Sequence, residues 1–183
     1  MNNNKILLLC EGKNEEKLLN ILLDEDALII KRDDLIGLRP FPIPFNIKHQ
    51  VIVTSILHNG EQIDIIRVKD SQKDNISIPK EIKKYVSKDR VYDYCTKPEV
   101  EMLLIYNENL IDEYQKVKSR VKPKDFAKRN IVYKGKRYDN STEFYAMYYD
   151  GPENKGKLVN NIKGYKKYQK NKKGEKALAD LLK

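Results

Sequence analysis

The chain has 183 residues, of which 40% are apolar and 34% charged, a length and balance that suit one globular domain and exclude a disordered chain. Its formal net charge is +9, and its two cysteines, Cys10 and Cys95, lack the spacing of a disulfide framework or a zinc site, so we expect both to be packed in the core. The apolar run Ile6 to Cys10 is too short for a signal peptide or a membrane span, so we expect a cytoplasmic protein with no membrane partner.

Apolar runs alternate with amphipathic segments along the first 115 residues. Residues 5–10 predict a buried strand, and residues 14–28 predict an amphipathic helix. Further strands are expected at residues 34–38, 62–68 and 91–94. Further helices are expected from Ile78-Pro79-Lys80 to about residue 87, and over residues 99–114. Residues 39–45 contain three prolines and predict a loop or an extended crossing, whereas residues 47–57 fit a helix and a strand equally well, before a turn at Asn59-Gly60.

The rest of the chain is expected to be mainly helical. Helices are predicted at residues 124–129, 142–149, 158–170 and 174–182, with Ser141 as a cap and a hairpin over 131–138 turning at Lys134-Gly135. Strands that alternate with helices favour a parallel sheet with covered faces. We therefore predict an α/β fold with a mostly parallel four-stranded sheet flanked by helices. Residues 1–115 would form this domain, and residues 116–183 a basic, mainly helical extension packed on it.

Positive charge is concentrated in the last third of the chain. Residues 116–183 contain 20 lysines and arginines against 7 acidic residues, whereas residues 1–115 contain 16 against 20. Seven tyrosines lie among these cations, at positions 133, 138, 145, 148, 149, 165 and 168. Cations bind phosphates and aromatic faces can stack on unpaired bases, so the pattern favours a nucleic acid, DNA or RNA, as partner. A merely solubilising surface is the alternative.

Carboxylates follow three of the predicted strands. Glu11-Gly12 ends the first, Asp70-Ser71-Gln72 ends the third with Asp74 close by, and Lys97-Pro98-Glu99-Val100-Glu101 follows the fourth. The carboxyl ends of parallel strands meet at one edge of a sheet, where functional groups gather. Clustered carboxylates repel each other unless a cation lies among them, and Mg²⁺ or Mn²⁺ prefers such oxygen ligands.

The opening of the chain resembles the Toprim domain of topoisomerases, primases and OLD-type nucleases. The resemblance rests on the aliphatic strand Ile6–Leu9, on Glu11-Gly12, and on the acidic and aliphatic helix that follows. In Toprim proteins the glutamate after the first strand belongs to the site, and Glu11 has that place. The Asp-x-Asp motif of the family corresponds to Asp70-Ser71-Gln72, with Gln72 where the second aspartate would stand.

A second stretch, from Lys97 to Tyr106, is similar to the Pro-x-x-Glu-x-aliphatic segment of RloB-like proteins, and its site glutamate corresponds to Glu101. These resemblances imply a Mg²⁺- or Mn²⁺-dependent nuclease acting in phage defence. Glu11 and Asp70 would be metal ligands, Gln72 and Asp74 further candidate ligands, and Glu101 another ligand or the general base. Phosphates would be bound by basic residues, for which the candidates are Lys97, Lys163, Lys166, Lys167 and Lys170.

Two further hypotheses do not require catalysis. Because Gln72 brings no charge to the site, the chain is alternatively a degenerate Toprim domain that binds nucleic acid or a protein partner in a defence system. In the other, the basic extension docks an acidic protein. The sequence has no Gly-x-Gly-x-x-Gly, Gly-Lys-Ser/Thr or Gly-x-Ser-x-Gly motif, which argues against nucleotide-driven motor work and serine hydrolase chemistry.

Overall fold

A computed structural model describes residues 5–43, 62–70, 78, 80–83, 85–96, 99–169 and 174–183. Several predictions lie outside these ranges, namely the helix or strand over 47–57, the turn at Asn59-Gly60, and the candidate site residues Gln72, Asp74, Lys97 and Lys170.

The described strands form one parallel sheet and a small hairpin. In chain order they are β1 Ile6–Cys10, β2 Phe41–Pro42, β3 Asp64–Lys69, β4 Val91–Cys95, β5 Val132–Tyr133, β6 Lys136–Arg137 and β7 Lys176–Ala177. The order in the sheet is β2-β1-β3-β4-β7, and each neighbouring pair is parallel. The order reverses direction at β1, and ligands of open α/β sheets bind outside the carboxyl ends of the strands at such a point.

Both faces of the sheet are buried, which explains the continuous apolar run of β1. Leu8 and Cys10 point into the larger of two hydrophobic clusters, and Leu7 and Leu9 into the smaller one. Alternate side chains of a strand point to opposite faces, so a strand covered on both sides has no polar positions. Cys10 and Cys95 are both buried in the core, as predicted.

Helices cover this sheet. They are α1 Lys13–Asp24, α2 Lys80–Lys83, α3 Glu101–Asn107, α4 Ile111–Val117, α5 Pro123–Asn130, α6 Thr142–Tyr149 and α7 Lys157–Tyr165. The larger cluster takes its residues from α1 and from α3 to α7, so it spans residues on both sides of position 115. No helix in the described ranges is both long and apolar enough to cross a membrane.

Several predicted elements are confirmed and others are wrong. The hairpin turning at Lys134-Gly135 is present, and Ser141 caps α6 by accepting a hydrogen bond from the backbone N–H of Phe144 at 3.1 Å. The strand predicted at 34–38 is instead a pair of short 3₁₀ turns, and the sheet takes Phe41–Pro42 as its edge strand, where a proline costs no ladder hydrogen bond.

The helix predicted over residues 99–114 is two helices, α3 and α4. Between them Asn109 adopts a left-handed conformation, with φ of 58°, which asparagine tolerates better than most residues. The helix predicted over 158–170 ends at Tyr165 and continues only as a 3₁₀ turn, Lys166–Tyr168.

The helix predicted over residues 174–182 is also wrong. The end of the chain forms β7 and a 3₁₀ turn, Leu178–Leu181, and β7 pairs with β4. The sheet therefore has five strands rather than the four predicted, and its fifth strand comes from the basic part of the chain.

Most of the tyrosines in the basic part belong to the core. Five of the seven are at most 4% exposed, at positions 138, 145, 148, 149 and 165. Their rings pack against one another, for example Tyr148 against Tyr149 with centroids 4.8 Å apart. A buried ring cannot stack on a base, so the tyrosine content of this region reflects packing far more than nucleic-acid contact.

Candidate functional site

A cavity of about 490 Å³ opens at the carboxyl edge of the sheet. It is lined by residues from α1, the end of β3, the start of α3, α5 and the loop after β6, namely Asn14, Glu15, Asp70, Glu99, Val100, Glu101, Lys122, Lys124, Asp125 and Asn140. The fold thus brings distant carboxylates to one place, as the strand ends predicted.

Glu11 and Asp70 are in direct contact. The backbone N–H of Asp70 donates a hydrogen bond to Oε2 of Glu11 at 2.9 Å, and Thr96, just after β4, donates its hydroxyl to Oδ1 of Asp70 at 2.9 Å. Glu11 is exposed beside the cavity, whereas Asp70 lines it. Adjacent parallel strands β1, β3 and β4 end at the same level, so the residues that follow them meet.

Glu15 is a further carboxylate of the site, which the strand ends alone did not indicate. It lies in the first turn of α1, is 8% exposed and lines the cavity. A β-carbon on Gly12 would come within 2.9 Å of its Oε2, so the glycine leaves the room that this carboxylate occupies. Burial raises the pKa of Glu15, and the negative charges of Glu101 and Glu11 raise it further.

The environment of Asp70 opposes its ionisation. Burial raises the pKa of Asp70 to about 7, partly offset by the hydrogen bond from Thr96 and reinforced by the charges of Glu15, Glu11 and Glu101. A carboxyl group with such a pKa gains most from a nearby positive charge.

Glu101 is fixed by groups from the loop after β6. The hydroxyl of Tyr138 donates to Oε1 of Glu101 at 2.8 Å. A hydroxyl has one proton, so the 3.0 Å contact between Tyr138 and Tyr145 is a hydrogen bond donated by Tyr145. Burial and the charge of Glu101 raise the pKa of Tyr138, so it stays protonated and remains a donor.

Asn140 connects this acidic group to a lysine. With its amide oriented to satisfy its neighbours, its nitrogen donates to Oε1 of Glu101 at 3.0 Å and its oxygen accepts from Nζ of Lys124 at 2.9 Å. Asn140 has φ of 68°, a left-handed conformation open to asparagine and glycine. The cavity is therefore lined by acidic side chains and also by two lysines, Lys122 and Lys124, of the α5 region.

The carboxylate oxygens at the cavity suit a hard divalent cation, although they do not form a complete coordination shell. Oxygens of Glu11, Asp70, Glu15 and Glu101 are the ligand type that Mg²⁺ and Mn²⁺ prefer, and their mutual repulsion would be relieved by one. Among the described residues, no three acidic, histidine or cysteine side chains lie close enough to form a ready-made metal site. Mg²⁺ commonly keeps several waters and takes only one or two protein carboxylates, so it does not need a three-ligand cage.

The predicted phosphate-binding lysines that the structure describes lie on α7 and the 3₁₀ turn after it. Lys166 forms an ion pair of 2.5 Å with Asp180, and Lys163 donates to the backbone oxygen of Lys183 at 3.1 Å. Lys167 lies 5.2 Å from the ring centroid of Tyr168. The two pairs are solvent-exposed and weak, so they leave these lysines able to bind phosphate.

Comparison with known proteins adds no family to these observations. The chain has no significant match to any protein-family model, curated protein or solved structure. The arrangement of groups around the cavity is therefore what carries a functional assignment.

Proposed function

We propose that the protein is a Mg²⁺- or Mn²⁺-dependent nuclease of the Toprim type that cleaves phosphodiester bonds in DNA or RNA. The observation that carries the proposal is that Asp70 and Glu101, from distant parts of the chain, line one cavity together with two lysines, while Glu11 accepts a hydrogen bond from the backbone of Asp70 beside it. The resemblance of the first 110 residues to Toprim and RloB-like proteins supports this reading and suggests phage defence as the setting.

The acidic residues have separable roles in this proposal. Glu11 and Asp70 hold the cation, with Glu15 close enough to contribute charge or a further ligand. Such an ion, when bound, neutralises charge on the phosphate and lowers the pKa of water. Glu101 keeps one oxygen bonded to Tyr138, and its other oxygen is available as a general base or as another ligand.

The two lysines of the cavity position the substrate. Lys122 and Lys124 line the same cavity as the carboxylates, so a phosphate that enters it meets cations close to the acidic residues. Asn140 fixes Lys124 relative to Glu101 because it bonds to both side chains. These contacts orient the phosphate before reaction, which is the main contribution that a protein makes to phosphoryl chemistry.

A non-catalytic, nucleic-acid-binding function is the second candidate. It is favoured by Gln72 in place of the second aspartate and by the lack of a ready-made three-ligand site in the described ranges. In this case the cavity would bind a phosphate without cutting it.

A cleavage assay separates the two candidates. Plasmid, single-stranded DNA and RNA are each incubated with the protein in Mg²⁺, in Mn²⁺ and in EDTA. The nuclease proposal expects metal-dependent cutting that Glu11→Gln reduces by about 100-fold or more. Glu113→Gln, an exposed glutamate on α4, is the matched control and should cut normally. Salt-sensitive binding with no cutting in any metal would support the second candidate instead.

Tyr138→Phe tests whether Glu101 must be held in place. The variant removes the 2.8 Å hydrogen bond from the Tyr138 hydroxyl to Glu101, so we expect cleavage to fall about 10- to 100-fold. The lost buried hydrogen bonds should also lower the free energy of unfolding by about 1–2 kcal/mol. Initial rates and thermal unfolding measure the two effects separately.

Tyr149→Phe is the matched control for this prediction. Tyr149 is also fully buried, and its hydroxyl accepts a hydrogen bond from Asn161 at 3.2 Å, away from Glu101. It should lose similar stability and keep its rate. An equal loss of rate in both variants would mean that Tyr138 acts through stability alone.

A further inference from the structure

Three tyrosines form a layered aromatic group next to the candidate site. The rings of Tyr165 and Tyr168 stack with an interplanar angle of 19° and centroids 6.2 Å apart, and Tyr106 lies 5.8 Å from Tyr168. Tyr165 is 4% exposed and belongs to the core. This group, called the tyrosine platform below, therefore rests on a fixed base.

Tyr168 is the open surface of the platform. It is 45% exposed, whereas every other aromatic side chain in the described ranges is buried or half-buried. Gly164 leaves room for Tyr106, because a β-carbon at this position would clash with the Tyr106 hydroxyl. An exposed aromatic ring offers a flat surface on which an unpaired base can stack.

The platform lies close to the carboxylates. Gln169, the residue after Tyr168, donates to the backbone oxygen of Thr96 at 2.5 Å, and Thr96 donates to Asp70. Tyr106 also follows Glu101 by five residues on α3, a rise of about 7.5 Å along a helix. Successive nucleotides are separated by comparable distances, so a strand with its phosphate in the cavity can reach the platform.

The positive charge around Tyr168 favours a nucleic acid as its ligand. Lys167 lies over its ring at 5.2 Å, Lys163 and Lys166 are exposed on the preceding turns, and this part of the chain is strongly basic. We propose that the exposed face of Tyr168 stacks on an unpaired base of the nucleic acid whose phosphate enters the cavity. The inference rests on the proposed function and narrows its substrate to single-stranded or unpaired segments.

Stacking is measurable without cleavage. A single-stranded oligonucleotide carrying 2-aminopurine, whose fluorescence falls on stacking, is titrated with the protein in EDTA. Stacking on one aromatic ring is worth about 1–3 kcal/mol, so Tyr168→Ala should weaken binding about 5- to 150-fold and abolish the quenching. Tyr168→Phe should retain both, and Lys167→Gln should weaken binding and reduce its salt dependence.

Two controls separate stacking from general surface effects. Val132→Ala removes another exposed apolar side chain, 50% exposed, from the same basic region and should bind normally. A blunt duplex without unpaired bases should bind Tyr168→Ala and the unaltered protein almost equally. Undiminished binding and quenching in Tyr168→Ala would contradict the proposal that Tyr168 stacks on an unpaired base. So would the absence of any binding of the oligonucleotide by the unaltered protein.

The outcome for the platform and the outcome for the nuclease can be told apart. Cleavage of the same oligonucleotide in Mg²⁺ or Mn²⁺ without quenching in EDTA would support the nuclease activity and contradict the stacking of a base on Tyr168. Quenching that depends on Tyr168, with no cleavage in either metal, would leave the platform and remove the hydrolytic function.

Discussion

Asp70→Asn is expected to abolish metal-dependent cleavage and, at the same time, to stabilise the metal-free protein at pH 8. The asparagine keeps an oxygen for the hydrogen bond from Thr96 but loses the charge that holds a cation, so we expect a rate loss of about 100- to 1,000-fold. The same loss of charge removes the cost of burying an ionised carboxylate and, in addition, its repulsion with Glu15, Glu11 and Glu101. Since Asp70 is only partly buried, the gain should be about 1–2 kcal/mol, or roughly 2–8 °C in Tm.

The two effects on activity and stability have opposite signs, which distinguishes a functional role of Asp70 from a structural one. A residue that serves only the fold loses stability and activity together when it is replaced, whereas a functional group held in an unfavourable environment gains stability as activity is lost. Asp112→Asn, at an exposed position in the first turn of α4, is the control and should change neither quantity. A metal-free Asp70→Asn protein that melts below the unaltered protein would mean that Asp70 is structural.

The long strands of the sheet could be predicted because the apolar residues that form each of them are consecutive in the sequence. Each side chain of β1 is buried, and a run such as Ile-Leu-Leu-Leu-Cys has few other stable solutions between two turn signals. The same reasoning placed β3 and β4 to within two residues. Short elements such as β2 and β7 have only two residues each, and they become strands because a longer neighbour offers them free backbone groups. No pattern within two residues carries that information.

The tyrosines of the basic region show that composition alone does not distinguish a nucleic-acid-binding surface from a core. Aromatic residues among lysines fit a nucleic-acid surface and a tyrosine-rich core equally well, because both place rings beside long flexible cations. The residue order within α6 favours the core, since Phe144, Tyr145, Tyr148 and Tyr149 are its buried residues and α6 packs against α1. Only Tyr168, in the turn after α7, remains exposed enough to serve a ligand.

The acidic residues of the candidate site that follow strands could be predicted from the sequence. The residues that bond to them or lie beside them in the cavity could not. Glu11, Asp70 and Glu101 follow strands, and parallel strands bring their ends together whatever the rest of the chain does. Tyr138, Asn140 and Lys124 reach the same cavity only because α5 and the loop after β6 fold back over α3. The one local signal for them is Asn140, a residue type suited to the left-handed backbone conformation it adopts.

The stability of the protein should depend on pH in a way that a divalent cation reverses. The pKa of Asp70 is about 7 in the folded protein against 3.8 for an unperturbed carboxyl group, so between these values the folded state binds more protons than the unfolded one. The free energy of unfolding of the metal-free protein therefore falls as the pH rises from about 4 to 7, and the raised pKa of Glu15 acts in the same direction. Asp70→Asn should show a smaller fall over the same window.

A cation at this site should stabilise the protein far more at pH 8 than at pH 5. At a free concentration 100 times its Kd, an ion that binds only the folded state adds about 2.7 kcal/mol. At pH 5 only about 1% of Asp70 is ionised, which weakens apparent binding about 100-fold and leaves about 0.4 kcal/mol. Thermal unfolding with and without Mg²⁺ or Mn²⁺ at the two pH values measures this difference. Equal increments, or an increment that survives in Asp70→Asn, would place the cation elsewhere.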